Sequence, residues 1–427
     1  MRRDIEVVVG AAQQIAGVLR HEQQGRREYA AFEYHPVWLQ KGFPLDPGLQ
    51  WVPGPQFFVR VSPSSPFGGA FADNEPDGWG RRVILWQYRK DRAESASRAE
   101  NGPLNALDYL LMVDDAARIG ALRFRDESGT CQRSRPSGGG GVPPLVQLSR
   151  LLRASQAFER STESVDELAY LLGRGTSLGG IRPKCVVEDE GGVLYVGKFP
   201  SVQDDRPVTA AEVLVMQLAK AAGIRTSDAT LHRVDGADIA VIRRFDRTAD
   251  GERIPYVSAR TMLGATDNDT EPHTYLEIAD VIRRWSHDPT RELEELWRCI
   301  VFNVLITNID DHLANHGFLH VTADRWRLSP AFDLNPFPDR IREFKTWLSP
   351  QLGPEARVES AVELASAMGL IRSRTAELLG QVESAVATWR PTGSQLGLTG
   401  RDLDVLADAF EHEEREVARR MAGASQW

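Results

Sequence analysis

Short apolar runs separated by turn-forming or polar residues characterise the first part of the chain. They predict strands, and they are IEVVVG (5–10), QQIAGVLR (13–20), REYAAFEY (27–34) and FFVRVS (57–62). From GWGRRVILWQYRK (78–90) onward the pattern favours helix, and NALDYLLMVDDAARIGALRFR (105–125) indicates a helix followed by a short strand. We therefore predict an α+β subdomain over residues 1–125.

A polar segment interrupts this pattern after residue 125. The stretch DESGTCQRSRPSGGGGVPP (126–144) contains four consecutive glycines and predicts a linker, to which we assign residues 126–145. Beyond it we predict two helices, VQLSRLLRASQAFER (146–160) and DELAYLLG (166–173), and then a glycine-rich turn, GRGTSLGGIRPK (173–184).

The next residues, up to 255, predict a β-rich lobe. Two strands, CVVEDE and VLYVGKFP, are joined by Gly191 and Gly192, and the helix AAEVLVMQLAKAAG (210–223) follows them. Two further strands, ATLHRV and DIAVIRRFDR, come after that helix.

From residue 256 to 427 the pattern predicts a helical lobe. In ELEELWRCIVFNVLITN (292–308), apolar residues recur at helical spacing and form one stripe: Leu293, Leu296, Trp297, Ile300, Val301, Val304 and Leu305. A polar loop, NIDDHLANHG (308–317), precedes two short runs, FLHVT and WRLSP, which suit a short hairpin. The tail DLDVLADAFEHEEREVARRMAG (402–423) predicts one surface helix.

Composition limits the class of protein. A length of 427 residues indicates two or three domains, and 42% apolar with 26% charged residues excludes a disordered, collagenous or coiled-coil chain. Fifty-one basic and 60 acidic residues give a net charge of −9, which argues against a general nucleic-acid coat.

Cysteine usage and the N-terminal sequence bear on the compartment. Cys131, Cys185 and Cys299 are odd in number and far apart, so they indicate neither a disulfide framework nor a CxxC metal knuckle. The N-terminus has no signal-peptide pattern, and no stretch approaches the roughly 18 apolar residues of a membrane span. We expect a cytoplasmic protein with no membrane attachment.

Candidate chemistry comes from polar residues that are far apart in the chain. Asp310 and Asn315 lie in the loop after the predicted buried helix, and Asp333 follows 18 residues later. Lys198 lies on a predicted strand and Glu212 in the next helix. Phosphoryl transfer from ATP needs such groups, because it depends on charge neutralisation, Mg²⁺ ligands and a proton acceptor.

The Asp-x₄-Asn spacing followed by a further Asp resembles the catalytic arrangement of protein kinases. The stretches NIDDHLANHGF, SPAFDLNP and TSLGGIRPK are similar to the HipA-like serine/threonine kinases, the toxins of HipA/HipB-type toxin–antitoxin pairs. FEYHPVWL, FADNEPDGWGRR and ARIGALRF resemble that family's N-terminal subdomain, so the resemblance covers most of the chain.

The resemblance implies roles for individual residues. Asp310 would be the catalytic base, and Asn315 and Asp333 would hold Mg²⁺. Lys198 would contact the nucleotide phosphates, with Glu212 as its partner. The further ATP-binding residues implied by the resemblance are Gly179, Gly180, Ile181, Arg182, Pro183, Lys184, Arg243, Arg244, Phe245 and His312, and Ser177 would be the site of autophosphorylation.

The resemblance also implies a fold and partners. We expect an α+β protein with a two-lobed kinase-like fold, a β-rich N-lobe, an all-helical C-lobe and an extra N-terminal α+β subdomain. It would phosphorylate a protein, such as an aminoacyl-tRNA synthetase or another translation factor, and arrest growth. The implied partner is a helix-turn-helix antitoxin of the HipB type, through which alone the protein would meet operator DNA.

Other interpretations stay open at the level of sequence. One is a catalytically silent nucleotide-binding regulator that acts through a DNA-binding partner. Another is a metal-dependent hydrolase that uses Asp310, Asp311, His312 and His316, although no HExxH motif is present. Within the kinase interpretation, Asp311 is expected to lie in a solvated loop or to cap a helix.

Overall fold

The computed structural model describes residues 2–94, 102–132, 144–162, 182–338 and 341–423. The predicted helix at 166–173 lies outside these residues. Within them, three antiparallel sheets are surrounded by helices, so the fold is mixed α and β.

The N-terminal sheet has five strands in the order β4–β3–β2–β1–β5. The strands are β1 (Arg2–Val9), β2 (Gln14–Gln24), β3 (Arg27–Tyr34), β4 (Pro55–Phe57) and β5 (Leu122–Arg125). The predicted strand at 57–62 is wrong beyond Phe57, where the chain leaves the sheet. Gly17 in β2 cannot be replaced by a residue with a side chain, because a Cβ there would lie 2.1 Å from the Glu33 carbonyl oxygen of the paired strand.

Four helices accompany this sheet. They are α1 (Pro36–Lys41), α2 (Gly69–Ala72), α3 (Gly78–Glu94) and α4 (Ala106–Met112). Helix α4 begins with a capping box, in which Asn105 and Asp108 bond to each other's backbone amides and so satisfy free donors of the first turn.

The second sheet has four strands in the order β6–β7–β9–β8. These strands are β6 (Lys184–Glu188), β7 (Leu194–Lys198), β8 (Ala229–Val234) and β9 (Ala237–Arg243). Helix α5 (Leu148–Glu159) precedes the sheet, and α6 (Val208–Ala221) lies between β7 and β8, as the sequence predicts.

The C-terminal part contains a third sheet, so the expectation of an all-helical C-lobe is wrong. Its strands are β10 (Tyr256–Ser258), β11 (Gly317–Thr322) and β12 (Arg325–Leu328). The β11–β12 hairpin follows the pattern of FLHVT and WRLSP. Pairing with β10 could not be inferred locally, because β10 is three residues long and about sixty positions away.

The remaining described helices belong to this C-terminal part. They are α7 (Ala259–Leu263), α8 (Tyr275–Trp285), α9 (Pro289–Leu305), α10 (Val358–Ala367), α11 (Arg372–Val386), α12 (Trp389–Gln395), α13 (Gly400–Phe410) and α14 (Glu413–Gly423). Asp288 caps α9 by accepting a hydrogen bond from the Arg291 amide, and Pro289 occupies the first turn, where its missing N–H costs nothing. The seven-residue stripe predicted for this helix is buried throughout.

The C-terminal tail forms two helices rather than the predicted single surface helix. The chain leaves helical geometry at Glu411, between α13 and α14. Phe410 and Ala418 are fully buried, so both helices pack on the body of the protein. The sequence does not reveal this break, because the charged residues of 411–420 have the i, i+4 spacing of a continuous helix.

Two hydrophobic cores hold the elements together. The larger core extends without interruption from the N-terminal sheet, with Val7 and Phe32, to the C-terminal helices, with Leu305 and Phe410. The smaller core joins Trp79 of α3 to α5 and to strands β6, β7 and β9. The domain boundaries proposed from the sequence stay predictions. Helix α3 comes before the proposed boundary at residue 125, and it packs against elements that come after that boundary.

Candidate active site

Lys198 lies at the end of β7, and its ammonium group contacts two carboxylates. Nζ of Lys198 is 2.5 Å from Glu212 Oε1 on α6 and 2.8 Å from Asp333 Oδ1. The Glu212 side chain is 4% exposed, whereas that of Asp333 is 36% exposed and accessible from solvent. One cation therefore faces two anions, which leaves the cluster with a surplus of negative charge.

The pKa values in this cluster follow from burial and from the ion pairs. Burial by itself would lower the pKa of Lys198, but Asp333 and Glu212 outweigh it and raise that pKa above its ordinary value. Burial would raise the pKa of Asp333, yet Lys198 lowers it to about 2. Burial raises the pKa of Glu212, and Lys198 offsets this only in part. Asp333 is therefore the more strongly ionised carboxylate of the pair.

The loop that carries Asp333 is fixed by its own backbone and by Asn335. Asp333 has a φ of +56°, a left-handed conformation that Asp adopts more readily than most residues. The Asn335 amide group donates to the backbone oxygen of Asp333 at 3.2 Å and to Oδ1 at 3.4 Å. The backbone N–H of Asn335 donates to Asn308 Oδ1, which ties this loop to the one after α9.

The loop after α9 carries Asp310 and Asn315. Asp310 exposes 45% of its side chain, and the Asn315 amide group donates to the Asp310 backbone oxygen at 3.4 Å. Residues Leu313–Asn315 form a short 3₁₀ turn. After burial and Lys198, smaller effects on the pKa of Asp333 come from Lys184 and His312, so both of these residues lie near that carboxylate.

Asp311 was predicted to lie in a solvated loop or to cap a helix, and this prediction is wrong. The side chain is buried, and its Oδ2 accepts hydrogen bonds from the Tyr275 hydroxyl, from Asn303 Nδ2 at 2.8 Å and from His316 Nε2 at 2.9 Å. Asp311 thus anchors the loop to α8, α9 and the start of β11. The fold thus turns the Asp311 side chain inward and leaves the side chain of Asp310 partly exposed.

Lys345 is a component of this region that sequence reasoning missed. Its ammonium group forms an ion pair with Asp310 Oδ1. The backbone supports this contact, since Lys345 N donates to Ile309 O at 3.2 Å and Thr346 N to Asp311 O at 3.1 Å. Nothing in the sequence around residue 345 signals this contact.

Arg182, Pro183 and Lys184, predicted to bind ATP, lie at the start of β6. Lys184 Nζ is 3.1 Å from Asp77 Oδ2, and both side chains are buried. Arg182 instead extends to Asp204, with Nη1 2.6 Å from Oδ1. The Pro183 carbonyl accepts a hydrogen bond from the Phe199 amide, which closes the β6–β7 pairing next to Lys198.

Arg243, Arg244 and Phe245, also predicted to bind ATP, have different surroundings. Arg243 ends β9, and the ring of Phe245 packs 5.3 Å from that of Phe332, the neighbour of Asp333. Arg244 is buried, and its guanidinium group binds Asp246 and the carbonyls of residues 116–118. The Arg244 guanidinium is therefore engaged in the packing of the N-terminal part against β9.

Four of the predicted site residues lie outside the described residues, namely Ser177, Gly179, Gly180 and Ile181. In the described ranges, no group of three or more His, Cys, Asp or Glu side chains is arranged to hold a metal ion. The metal site of the hydrolase interpretation, with Asp310, Asp311, His312 and His316, is thus not formed, and His316 is hydrogen-bonded to Asp311. Likewise, no helix in this part of the chain is long and apolar enough to cross a bilayer.

Comparison with known proteins assigns the chain to a family. The HipA-like C-terminal domain matches residues 176–389, half of the chain. The chain therefore belongs to the HipA-like family.

Individual relatives are distant. "Putative kinase Y4mE" of Sinorhizobium fredii is 22% identical over 230 residues, covering 50% of this chain and 53% of the relative. A "Putative kinase" of Haemophilus influenzae is 25% identical over 190 residues, covering 39% and 55%. The chain thus spans about half the length of the curated relatives that it matches.

The fold is shared with a solved structure. The HipA chain in the Shewanella oneidensis HipA, HipB and operator DNA complex superposes with a TM-score of 0.62 at 15% identity, covering 98% of this chain and 96% of that one. At this identity the match shows the fold alone.

Proposed function

We propose that the protein is an ATP-dependent serine/threonine protein kinase and the toxin of a HipA/HipB-type pair. The observation that carries the proposal is the convergence of Lys198, Glu212 and Asp333 beside the loop that bears Asp310 and Asn315. Family membership and the names of the two curated relatives support it.

In this proposal the sheet β6–β9 forms the N-lobe and the helices after Ser258 form most of the C-lobe. Glu212 keeps Lys198 extended, so that its ammonium group meets phosphate oxygens of ATP at the junction of the lobes. Asp310 accepts the proton of the attacking serine or threonine hydroxyl. The buried bonds of Asp311 hold the loop in place while Asp310 remains exposed to the substrate.

The donor set fits Mg²⁺, a hard cation that prefers oxygen ligands and shares them with phosphates. Asn315 and Asp333 would hold the ion, and the surplus negative charge around Lys198 suits a further cation. When bound, Mg²⁺ supplies neutralisation of phosphate charge.

Partners follow from the family and from the chain's charge. A net charge of −9 suits a protein that reaches operator DNA through a helix-turn-helix antitoxin rather than directly. The solved S. oneidensis complex contains HipA, HipB and operator DNA. The phosphorylated substrate would be a protein, such as an aminoacyl-tRNA synthetase or another translation factor, and its modification would arrest growth.

The test is transfer of the γ-phosphate from labelled ATP to protein. Asp310→Asn should lower the transfer rate by about a hundred-fold or more, because the substrate hydroxyl loses its proton acceptor. Asp324→Asn is the matched control, since Asp324 is an exposed carboxylate in an ion pair with Arg325 at 3.5 Å. Transfer by Asp310→Asn at the wild-type rate would remove Asp310 from this role. ATP binding without any transfer by the wild type would favour the silent regulator.

A further inference from the structure

We propose that Asp77, in the N-terminal subdomain, is a positioning residue of the nucleotide site. It holds Lys184 beside the Lys198 cluster, so that Lys184 meets the phosphates of ATP. The inference rests on the proposed function and deepens it, because it makes the N-terminal subdomain a structural part of the ATP site.

The contact is a buried ion pair between distant parts of the chain. Lys184 Nζ lies 3.1 Å from Asp77 Oδ2, and the two side chains are 4% and 5% exposed. A buried charge is tolerated when it is paired, and removal of one partner leaves the other uncompensated. Lys184 therefore depends on Asp77 for a compensating charge and for its position.

Strand register explains why Lys184 needs a partner of its own. Lys184 and Lys198 are directly opposite each other in the antiparallel β6–β7 pair. Side chains at opposite positions project to the same face, where two like charges repel. Glu212 and Asp333 compensate Lys198, and Asp77 compensates Lys184.

Asp77 is itself held rigidly. It precedes α3, and its Oδ1 accepts a hydrogen bond from the Gly80 amide at 2.5 Å, as a helix cap does. Two residues further on, Trp79 is fully buried in the smaller core with Cys185 of β6 and Phe199 after β7. One carboxylate oxygen is thus fixed by the helix and the other is directed at Lys184.

Asp77→Asn removes the negative charge but keeps the helix cap, because the side-chain oxygen of Asn can still accept a hydrogen bond from the Gly80 amide. We expect the Kd for ATP to rise about ten-fold, since a buried lysine without its carboxylate is displaced from its position. The Kd for adenosine, which has no phosphates, should change less than about two-fold. Both are measured by titration calorimetry on the full chain.

Glu75→Gln is the matched control. Glu75 lies two residues from Asp77 and pairs with Arg81 at 2.8 Å, whereas Asp77 pairs with Lys184. This variant should bind ATP and adenosine as the wild type does. A double-mutant cycle completes the test: once Lys184→Met has weakened ATP binding, adding Asp77→Asn should weaken it no further.

Three results would overturn the inference: unchanged or tighter ATP binding by Asp77→Asn, an equal loss for adenosine, or full additivity with Lys184→Met. If Asp77→Asn does not fold, Asp77→Ser, which also keeps a capping oxygen, replaces it. A wild-type protein that binds no ATP would overturn the proposed function together with this inference. Normal ATP binding by all Asp77 variants would overturn this inference alone.

Discussion

The residue with the largest electrostatic effect on the candidate site is Lys198, because two carboxylates depend on it. Asp333 is ionised through its contact with the ammonium group, whereas buried Glu212 has a raised pKa. Sequence reasoning selected all three residues. It could not show that Glu212 is buried, since a single glutamate in a helix is more commonly exposed.

The low pKa of Asp333 predicts a pH dependence of stability. An aspartate has a pKa of about 3.9 in the unfolded chain, and Lys198 lowers it to about 2 in the folded protein. The ionised group therefore stabilises the fold above about pH 4, and this contribution is lost as the pH falls toward 2. It amounts to roughly 1 kcal/mol, because solvent screens a side chain that is exposed by a third.

The measurement compares urea unfolding of the wild type and of Asp333→Asn between pH 6 and pH 3. The difference between their free energies of unfolding should shrink by about 0.5 kcal/mol over this range, because about half of the contribution is lost by pH 3. A difference that stays constant would show that Asp333 has an ordinary pKa. Asp324→Asn, which alters an exposed carboxylate, serves as the control.

Lys345 leads to a second prediction at this scale. Its ammonium group lies against Asp310, where negative charge from the carboxylate and from the transferring phosphoryl group would accumulate. Lys345→Met should therefore lower kcat for phosphoryl transfer by about ten-fold, with less effect on the KM for ATP. Lys220→Met is the control, because Lys220 also forms an exposed pair, with Asp228 at 2.8 Å. Equal kcat values for the two variants would leave Lys345 without a role.

At the scale of elements, α2 shows how a buried carboxylate organises a loop. Asp46 is buried and accepts hydrogen bonds from the amides of Gly48, Leu49 and Ala70. Gly69, the first residue of α2, has a φ of +57°, and a Cβ there would lie 2.2 Å from Asp46 Oδ2. The glycine is thus required both by its conformation and by the close approach of Asp46.

Two glycine variants separate these requirements. Gly25 has a φ of +63° with open space around it, so Gly25→Ala should cost about 1 kcal/mol of stability from backbone conformation alone. Gly69→Ala should cost about 3 kcal/mol or more, because it also displaces a buried carboxylate from its amides. Both values come from urea unfolding monitored by circular dichroism. Equal costs would show that the Asp46 contact is easily relaxed.

At the scale of the whole molecule, an arginine-rich cluster joins the N-terminal part to β9. Asp246 is buried, pairs with Arg244 and Arg247 at 2.7 Å, and accepts a hydrogen bond from the Gly120 amide. Burial would raise the pKa of Asp246, but these arginines lower it well below its usual range. The larger hydrophobic core also crosses between the two parts, so we expect them to unfold together.

Asp246→Asn tests this coupling. It should destabilise the protein by about 3 kcal/mol or more, since buried arginines lose their compensating charge. Unfolding should remain a single transition by tryptophan fluorescence and by circular dichroism. Asp228→Asn, at an exposed ion pair, should change stability by less than about 1 kcal/mol. Two separate transitions in the wild type would contradict the shared core.

The sequence by itself determined the local elements and the types of residue in the candidate site. Strands β1 to β3, helix α9 and the β11–β12 hairpin follow from the periodicity of side chains, which is a local property. Local pattern also selected Asp310, Asn315 and Asp333 from their spacing.

Tertiary structure alone decided which distant residues meet. The β10 pairing in the C-terminal part, the inward side chain of Asp311, the Lys345–Asp310 pair and the Asp77–Lys184 pair all join segments that carry no signal for each other. The physical reason is that burial and ion pairing depend on three-dimensional proximity, which periodicity along the chain does not encode.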